Sequence, residues 1–467
     1  MLLLTHPAAR QYVRDLNSEL QSEGHKPMSR IQSGLIAFLL TAMVFTHCLN
    51  FALFSRFTLG AITERSLSWL FHCAQVPWQK LLWLNARLIM GKYGVRKGRL
   101  VLDDTERKRA KNTKTLFGTH KIKDKKSNGY VMGQEFVFLV LVTDIATIVV
   151  DVQIYRPDPE RSAWKKQDAA LKAKGVAKQN RPPEPPRRKE FPTKEELAVK
   201  LLCRFRLYHG GIAVQSILFD AAYLSGYILK HAKRLFGAVQ IISKLRCNQR
   251  VREGNRPFVS VTAYFANRKA RVLEFALRGG EKTTVVLRSA RLFVASLGRV
   301  MHVVAMKYAD EEEYRYLAAA DLTWRADDIV REFGFRWPIE VCFEDMKVYE
   351  GIGKAASQRG ADGVGCALTL SLLADGFLLT HPDQLALANA QQPLRTVGSQ
   401  CRKIQYEVFL EILGNIIEKD CPKEAVEHLR KAIDVYVDTR PSRKHMSGRP
   451  IPRAGPFPSL TPSFAGI

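Results

Sequence analysis

The sequence predicts an α/β fold with a β-rich insertion and a helical region at its start. In the middle of the chain, apolar strand-like runs alternate with helical patterns, which is typical of an α/β core. A block of short β-rich runs interrupts this alternation, and the first 97 residues carry helical patterns. With 467 residues, 46% of them apolar and 25% charged, the chain is long enough for two or three structural units.

The charge of the chain indicates a polyanionic partner. Lysine and arginine number 72 against 45 acidic residues, and the net charge of +27 exceeds what solubility requires. The eight cysteines form no Cys-x-x-Cys pair and have no histidine spacing that suits zinc, which favours free thiols in a reducing cytosol. The start of the chain lacks a signal-peptide pattern. The uncharged stretch Ile31–Ser55 contains polar interruptions, so we expect a buried helix pair there; a membrane span is the alternative.

The first half of the chain divides into four predicted segments. Residues 1–97 are predicted to be a helical DNA-binding region, although no diagnostic motif marks it. "GRLVLDDTERKR" is a short strand that runs into two aspartates and a basic stretch, Arg107 to Lys126, and it opens the first part of the core, 98–256. "EFVFLVLVTDIATIVVDVQIYRP" predicts a hairpin of two buried strands. Residues 157–192, rich in proline and charge, are predicted to be a solvated linker.

The second half returns to strands and helices. Thr193 and Glu196 form a capping-box signature for a helix, and "ILFD" then predicts a strand that ends at Asp220. Residues 257–312 are predicted to be the β-rich insertion and 313–400 the remainder of the core. C-terminal helices are expected over 401–440, and the proline-, serine- and arginine-containing tail 441–467 is expected to be disordered.

Three acidic residues stand out by their context. Asp103 and Asp220 each follow an apolar strand, and Glu340 lies on the helix after a third strand. Because groups at the carboxyl ends of neighbouring strands converge on one edge of a sheet, three such carboxylates predict a Mg²⁺ site with two ions for phosphoryl transfer. Asp104 is an alternative to Asp103, and Glu344 is an alternative to Glu340.

The segment "FGFRWPIEVCFEDMK" carries charge at helical spacing. Arg336, Glu340 and Lys347 are separated by four and seven residues, so an α-helix would place them along one face. A solvated stripe of ordinary ion pairs would have the same spacing. Trp324 or Trp337 could stack on a base, and core packing beside Pro338 is the alternative for Trp337.

The order of these motifs resembles the DDE transposases of bacterial insertion sequences. "LVLDDT", "ILFDAAY", the β-rich insertion and "DLTWRADDIVREFGFRWPIEVCFEDMK" occur in that family's order between residues of about 100 and 350. The closest resemblance is to the group with a tyrosine, two residues, arginine, three residues, glutamate, six residues and lysine. Arg336, Glu340 and Lys347 keep this spacing, whereas Phe333 occupies the tyrosine position.

The resemblance implies an RNase H-like core, in which Asp103, Asp220 and Glu340 hold two Mg²⁺ ions that Mn²⁺ can replace. A water would cut DNA at the element's end, the freed 3′-hydroxyl would attack target DNA, and release often passes through a DNA hairpin. The implied partners are element ends and target DNA, with a homodimer in the synaptic complex, no membrane, and a location in the bacterial cytoplasm at the nucleoid. The implied DNA-contacting residues are Arg336, Lys347, Phe333, and Lys244 and Arg246 of "IISKLRCNQ".

Two other functions are compatible with the same residues. A transposase relic that only binds DNA would keep the basic surface, and the missing tyrosine hydroxyl at Phe333 favours it. A metal-dependent nuclease would share the three acids. The intact acids argue against the relic, and the β-rich insertion and the Arg336-to-Lys347 spacing argue against the nuclease.

Overall fold

The computed structural model describes residues 5–58, 60–110, 113, 116–124, 127–276, 282–353, 360–418, 421–427 and 430. The tail 441–467 and part of 401–440 lie outside these residues. The helices in chain order are α1 (Pro7–Ser22), α2 (Arg30–Thr46), α3 (Phe51–Phe57), α4 (Glu64–His72), α5 (Trp78–Lys92), α6 (Pro159–Ala173), α7 (Lys194–Tyr208), α8 (Gly226–Phe236), α9 (Val261–Phe265), α10 (Ala326–Gly334), α11 (Pro338–Val348), α12 (Gly360–Leu379), α13 (Pro382–Asn389) and α14 (Val397–Ile417). The strands are β1 (Lys97–Arg109), β2 (His120–Lys123), β3 (Tyr130–Val142), β4 (Thr147–Tyr155), β5 (Ala213–Phe219), β6 (Gln240–Leu245), β7 (Arg250–Arg252), β8 (Val259–Ser260), β9 (Arg271–Ala276), β10 (Lys282–Val294), β11 (Arg299–Tyr308) and β12 (Arg315–Ala319).

The helices α1 to α5 pack with α12 and α14 around one apolar core. The uncharged stretch Ile31–Ser55 falls in α2 and α3, and α2 is capped at its start by a reciprocal Ser29–Gln32 capping box. Its central residues are buried against the other helices, as expected for a core helix. In the described part of the chain, α12 is the helix long and apolar enough to cross a membrane, but 83% of its apolar window is buried within the protein.

The strands form a single mixed sheet in the order β2-β3-β1-β5-β6-β12-β11-β10-β7-β8, with β4 beside β3 and β9 beside β10. The strands β1, β5 and β6 are parallel, and the other pairs are antiparallel. The predicted hairpin is confirmed, because β3 and β4 pair antiparallel and are buried along most of their length. The Thr193–Glu196 capping box at the start of α7 is also confirmed.

Two faces of the central strands are buried under different helices. On β1, Leu100 and Leu102 belong to the core that includes α7 and α8, whereas Val101 belongs to the core that includes α10 and α11. This alternation follows from the two-residue period of a strand. Each residue after Leu102 therefore has a predictable face, which matters for the two aspartates that follow.

The segment 157–192, predicted to be a solvated linker, is exposed and includes a helix that its composition does not predict. It contains α6, which begins after the N-cap Asp158 with Pro159 at the first helical position. Side chains hold the rest of the segment against this helix: Trp164 Nε1 donates to the carbonyl of Pro182 at 2.8 Å, and Arg188 Nε donates to Asp158 Oδ2 at 3.0 Å. No α6 residue is buried, so the segment is an ordered, solvent-exposed arm.

The β-rich block 257–312, predicted to be an insertion, could form a sheet of its own or join the central sheet. Its long strands β10 and β11 pair with each other, and β11 pairs with β12, which in turn pairs with β6 of the core. The block therefore extends the central sheet. Short β-rich runs predict strands but not the neighbour that each strand chooses, so sequence could not distinguish the two arrangements.

Candidate functional site

Asp103 and Asp220 lie side by side on neighbouring parallel strands. The pairing of β1 with β5 ends at Leu102 opposite Phe219, and the aspartates are the next residue on each chain segment. β1 itself is longer than predicted, because beyond Asp103 it continues to Arg109 in antiparallel pairing with β3. Asp103 thus sits where the parallel pairing stops, with one side of its strand released from β5.

The strand alternation places both aspartates on the α11 side of the sheet. Val101 and Leu218, two residues before Asp103 and Asp220, belong to the core that includes α11. Asp104 takes the opposite face, where Lys194 Nζ lies 2.7 Å from its Oδ2 and the Tyr223 hydroxyl donates to its Oδ1 at 3.0 Å. The geometry therefore separates the two adjacent aspartates, and only Asp103 shares a face with Asp220.

Glu340 reaches the same face from α11, which packs on β1, β3 and β4. Arg336 joins it to Asp103: Nη1 of Arg336 lies 2.7 Å from Asp103 Oδ2, and Nη2 donates to Glu340 Oε1. The two carboxylates therefore occupy the two terminal nitrogens of one guanidinium. The predicted stripe is only partly formed, since Arg336 lies in the turn before α11 and its side chain is only 7% exposed.

A buried polar contact fixes this turn. Glu332, on α10, accepts hydrogen bonds from Ser216 Oγ at 2.6 Å and from Arg99 Nε at 3.0 Å. The Arg99 guanidinium also lies 3.7 Å from the centroid of the Phe335 ring. These contacts attach the end of α10 and the residue before Arg336 to β1 and β5. Sequence reasoning missed Glu332 and Arg99, because the contact joins residues 233 positions apart.

The carboxylates experience an unusual environment. Burial raises the pKa of Asp103 to about 6, Asp104 and Asp220 add to the rise, and Arg336 together with the backbone N–H of Asp104 opposes it. At Asp220, Oδ1 is buried and has no hydrogen-bond partner within the described chain, while Lys244 Nζ stands 3.5 Å away as a charge neighbour. A buried carboxylate oxygen without a hydrogen bond is costly unless a cation binds it.

The other predicted residues occupy varied positions. Phe333 is half-buried, with its ring centroid 5.9 Å from the Arg336 guanidinium carbon, and Lys347 is half-buried in the last turn of α11. Arg246 and Glu344 are exposed. Trp337 is 63% exposed, so core packing is excluded for it, whereas Trp324 packs partly buried against the core under α10 and α11.

The donor set suits a hard divalent cation. Carboxylate oxygens are the ligands that Mg²⁺ and Mn²⁺ prefer, and the buried Asp220 oxygen without a hydrogen bond is open to such a partner. The oxygens of Asp103, Asp220 and Glu340 do not all lie within 4.8 Å of one another; among the described residues, the group that meets this limit is His6, His381 and Glu407. The Arg336 guanidinium stands between Asp103 and Glu340.

Hydrogen bonds account for His6 and Glu407 in the histidine group without a metal, whereas the buried Nε2 of His381 has no hydrogen-bond partner in the described part of the chain. Nδ1 of His6 accepts from the backbone N–H of Ala8, and Nδ1 of His381 accepts from that of Asp383, so the Nε2 atoms carry the protons. Nε2 of His6 then donates to Glu407 Oε2 at 3.0 Å, and Nε2 of His381 lies 3.7 Å from the same oxygen. The group ties the starts of α1 and α13 to α14.

Residues 183–358 match a transposase family. Its description is "Archaeal putative transposase ISC1217". The matched region contains Asp220, Arg336, Glu340 and Lys347 but not Asp103, and it covers less than half of the chain. The match supports a transposase, although it refers to an archaeal element, whereas the resemblance of the motifs is to bacterial ones.

Comparison with solved structures finds a similar chain in the cryo-EM structure of a piggyBac transposase synaptic complex with hairpin DNA. It is 10% identical, the similarity covers 94% of this chain and 84% of that chain, and the TM-score is 0.41. A likeness at this TM-score is too weak to bear on the site. No curated protein matches the chain.

Proposed function

We propose that this chain is a DDE transposase, which cleaves DNA at the ends of its element and joins the 3′ end to target DNA by metal-dependent phosphoryl transfer. The observation that carries the proposal is the side-by-side placement of Asp103 and Asp220 where parallel pairing stops, with Glu340 on the same face. The strand order β4-β3-β1-β5-β6, with β1, β5 and β6 parallel, supports an RNase H-like core.

In this proposal Asp103, Asp220 and Glu340 would hold two Mg²⁺ or Mn²⁺ ions. When bound, such ions lower the pKa of a water and stabilise the leaving oxygen of an in-line displacement. Asp104 would remain structural, because Lys194 and Tyr223 occupy its two oxygens on the opposite face. The Asp103 side chain is only 15% exposed, whereas those of Asp220 and Glu340 are 41% and 39% exposed. The three carboxylates thus lie at the border between the core and solvent, where a cation can reach them.

The basic residues would bind the DNA. The net charge of +27 favours a polyanion, and Lys244, Arg336 and Lys347 lie on the elements that carry or flank the acids. Contacts of this kind to phosphates position DNA without reading its sequence. Two element ends processed together would require two copies of the chain, which is the basis for a homodimer in the synaptic complex.

The test uses purified full-length protein, Mg²⁺ and a duplex that carries the element's own terminus. We expect end cleavage and strand transfer by the wild type, and loss of both in Asp103→Asn, Asp220→Asn and Glu340→Gln, with folding and DNA binding retained. DNA affinity should survive because basic residues supply most of it. Cleavage by Asp220→Asn at the wild-type rate would refute the assignment, and cleavage without any strand transfer would favour a nuclease.

A further inference from the structure

The position of Arg336 is unusual for a residue expected to contact DNA. Its guanidinium is buried beneath α11 and bonds to Asp103 at 2.7 Å and to Glu340. These are two of the three carboxylates that the proposed function assigns to the metal ions. An arginine remains protonated in proteins and presents a planar fork, which matches two carboxylates well. Its single positive charge therefore offsets part of the repulsion between the two carboxylates.

A divalent cation and this guanidinium compete for the same oxygens. Oδ2 of Asp103 and Oε1 of Glu340 are both engaged by Arg336, and a cation bound to the same two oxygens would be repelled by the guanidinium at close range. A cation held by both Asp103 and Glu340 therefore requires the guanidinium to leave these two oxygens. Once the guanidinium has left, a DNA phosphate is a suitable new partner, because arginine pairs with phosphate through two parallel hydrogen bonds.

We propose that Arg336 is the internal counter-ion of the metal-free site, and that transfer of its guanidinium to a DNA phosphate opens the site, so that DNA and divalent cations bind cooperatively. This inference rests on the proposed function for the identity of the metal site and of the polyanion. Arginine is suited to the exchange, since its fork pairs equally well with a carboxylate or a phosphate.

The surroundings of Arg336 are compatible with movement of the side chain alone. The backbone of the turn is held by the N–H of Arg336 donating to the carbonyl of Phe333 at 3.0 Å, and by the Glu332 contacts to Ser216 and Arg99. The adjacent Trp337 is largely exposed, so the turn itself borders solvent. A guanidinium that swings outward from this fixed turn would reach DNA lying along the start of α11.

Coupling of this kind is reciprocal, so it can be measured by metal binding alone. If DNA increases the affinity for the metal by a given factor, the metal must increase the affinity for DNA by the same factor. We expect the DNA duplex to tighten Mn²⁺ binding to the wild type by about tenfold or more, within the range typical of allosteric coupling. In Arg336→Gln, Mn²⁺ binding without DNA should already be about tenfold tighter than in the wild type, and the effect of DNA should shrink to about twofold.

The experiment follows free Mn²⁺ by electron paramagnetic resonance while full-length protein is titrated, with and without a duplex carrying the element's terminus. Arg325→Gln is the matched control, because Arg325 is an exposed arginine at the start of α10 that pairs with Asp327 at 3.1 Å. It should behave like the wild type. Arg336→Lys, which keeps the charge but lacks the fork, should bind Mn²⁺ with intermediate affinity and covers the case in which the glutamine variant does not fold.

Distinct outcomes separate the two proposals. Wild-type Mn²⁺ affinity in Arg336→Gln, with the DNA effect retained, would overturn the counter-ion inference. Asp220→Asn should lose most of the Mn²⁺ binding; if it does not, the metal binds elsewhere and the inference is overturned as well. Absence of DNA cleavage by the wild type, with Mn²⁺ and DNA still coupled through Arg336, would refute the proposed transposase activity while supporting the counter-ion.

Discussion

Asp103 and Asp104 are adjacent in sequence, yet their substitution should have opposite consequences. Asp104→Ala removes the partner of Lys194 and leaves the buried hydroxyl of Tyr223 without an acceptor. A buried hydrogen-bonding group that loses its partner costs about 1–3 kcal/mol. The partly exposed ion pair adds only about 0.5 kcal/mol, since Lys194 keeps Glu135 at 3.1 Å. The free energy of unfolding should therefore fall by about 1.5–3.5 kcal/mol.

Asp103→Asn should change stability much less. The asparagine oxygen can still accept the backbone N–H of Asp104, and Arg336 keeps Glu340 as a partner. Loss of one ion pair is offset by removal of a buried carboxylate, whose desolvation is unfavourable. The free energy of unfolding should stay within about 1 kcal/mol of the wild type, whereas DNA cleavage should be lost.

Two measurements on the same variants test this contrast. Urea unfolding followed by circular dichroism in EDTA gives the stability, and cleavage of element-end DNA in Mg²⁺ gives the activity. Asp104→Asn is the conservative control: it keeps an acceptor for Tyr223, and it should lose about 1 kcal/mol and retain cleavage within about tenfold. We assign a catalytic role to Asp103 and a structural role to Asp104 because they lie on opposite faces of β1. Wild-type cleavage by Asp103→Asn, together with a stable but inactive Asp104→Asn, would refute this assignment.

Three further predictions concern other regions. Lys165 and Lys189 are exposed on the arm 157–192, and replacing both by alanine should make the plot of log DNA affinity against log salt concentration less steep by about 1–2. The control Lys26→Ala should leave the slope unchanged. An unchanged slope in the double variant would exclude the arm from DNA binding. Phe333→Tyr should leave the melting temperature nearly unchanged and maintain or raise cleavage, and a fall in cleavage would argue against a phosphate near this ring. Burial lowers the pKa of His381 to about 4, so as pH falls from about 6.5 the unfolded chain binds a proton that the folded chain does not. The wild type should therefore lose about 3 kcal/mol of stability by pH 4, and His381→Gln should not show this loss. Parallel curves of stability against pH for the two proteins would contradict this prediction.

Much of the site could be predicted because its first two acids are set by local rules. Side chains alternate between the two faces of a strand, so Asp103 lies on the same face as Val101, and Asp220 on the same face as Leu218. Because Val101 and Leu218 belong to the same core, the two aspartates share one face of the sheet. The hairpin β3–β4 and the α7 capping box also depend on short-range patterns. Catalytic roles do not follow from these patterns, and those remain proposals.

The remaining features depend on contacts between distant residues. Spacing alone predicts one helix from Phe333 to Lys347, but Pro338 begins a new helix, and the intervening turn carries Arg336 inward. The proline was a usable signal for this break. No local signal identifies Glu332 as the partner of Arg99, or His6 as a neighbour of Glu407, because such pairs form only when the whole chain has folded.

Nearby basic residues explain how the chain can fold with Asp103, Asp220 and Glu340 on one face of the sheet. Each acid has a basic neighbour: Arg336 forms ion pairs with Asp103 and Glu340, and Lys244 Nζ lies 3.5 Å from Asp220 Oδ1. The ion pairs of Arg336 are stronger than that of Lys244. Arg336 is buried and makes close hydrogen bonds, whereas Lys244 is half-exposed and makes no hydrogen bond to the buried Asp220 Oδ1. A first cation would therefore meet less competition at Asp220 than at Glu340. Loading of the site would then begin at Asp220, and the Glu340 side would become available only after Arg336 has found another anion.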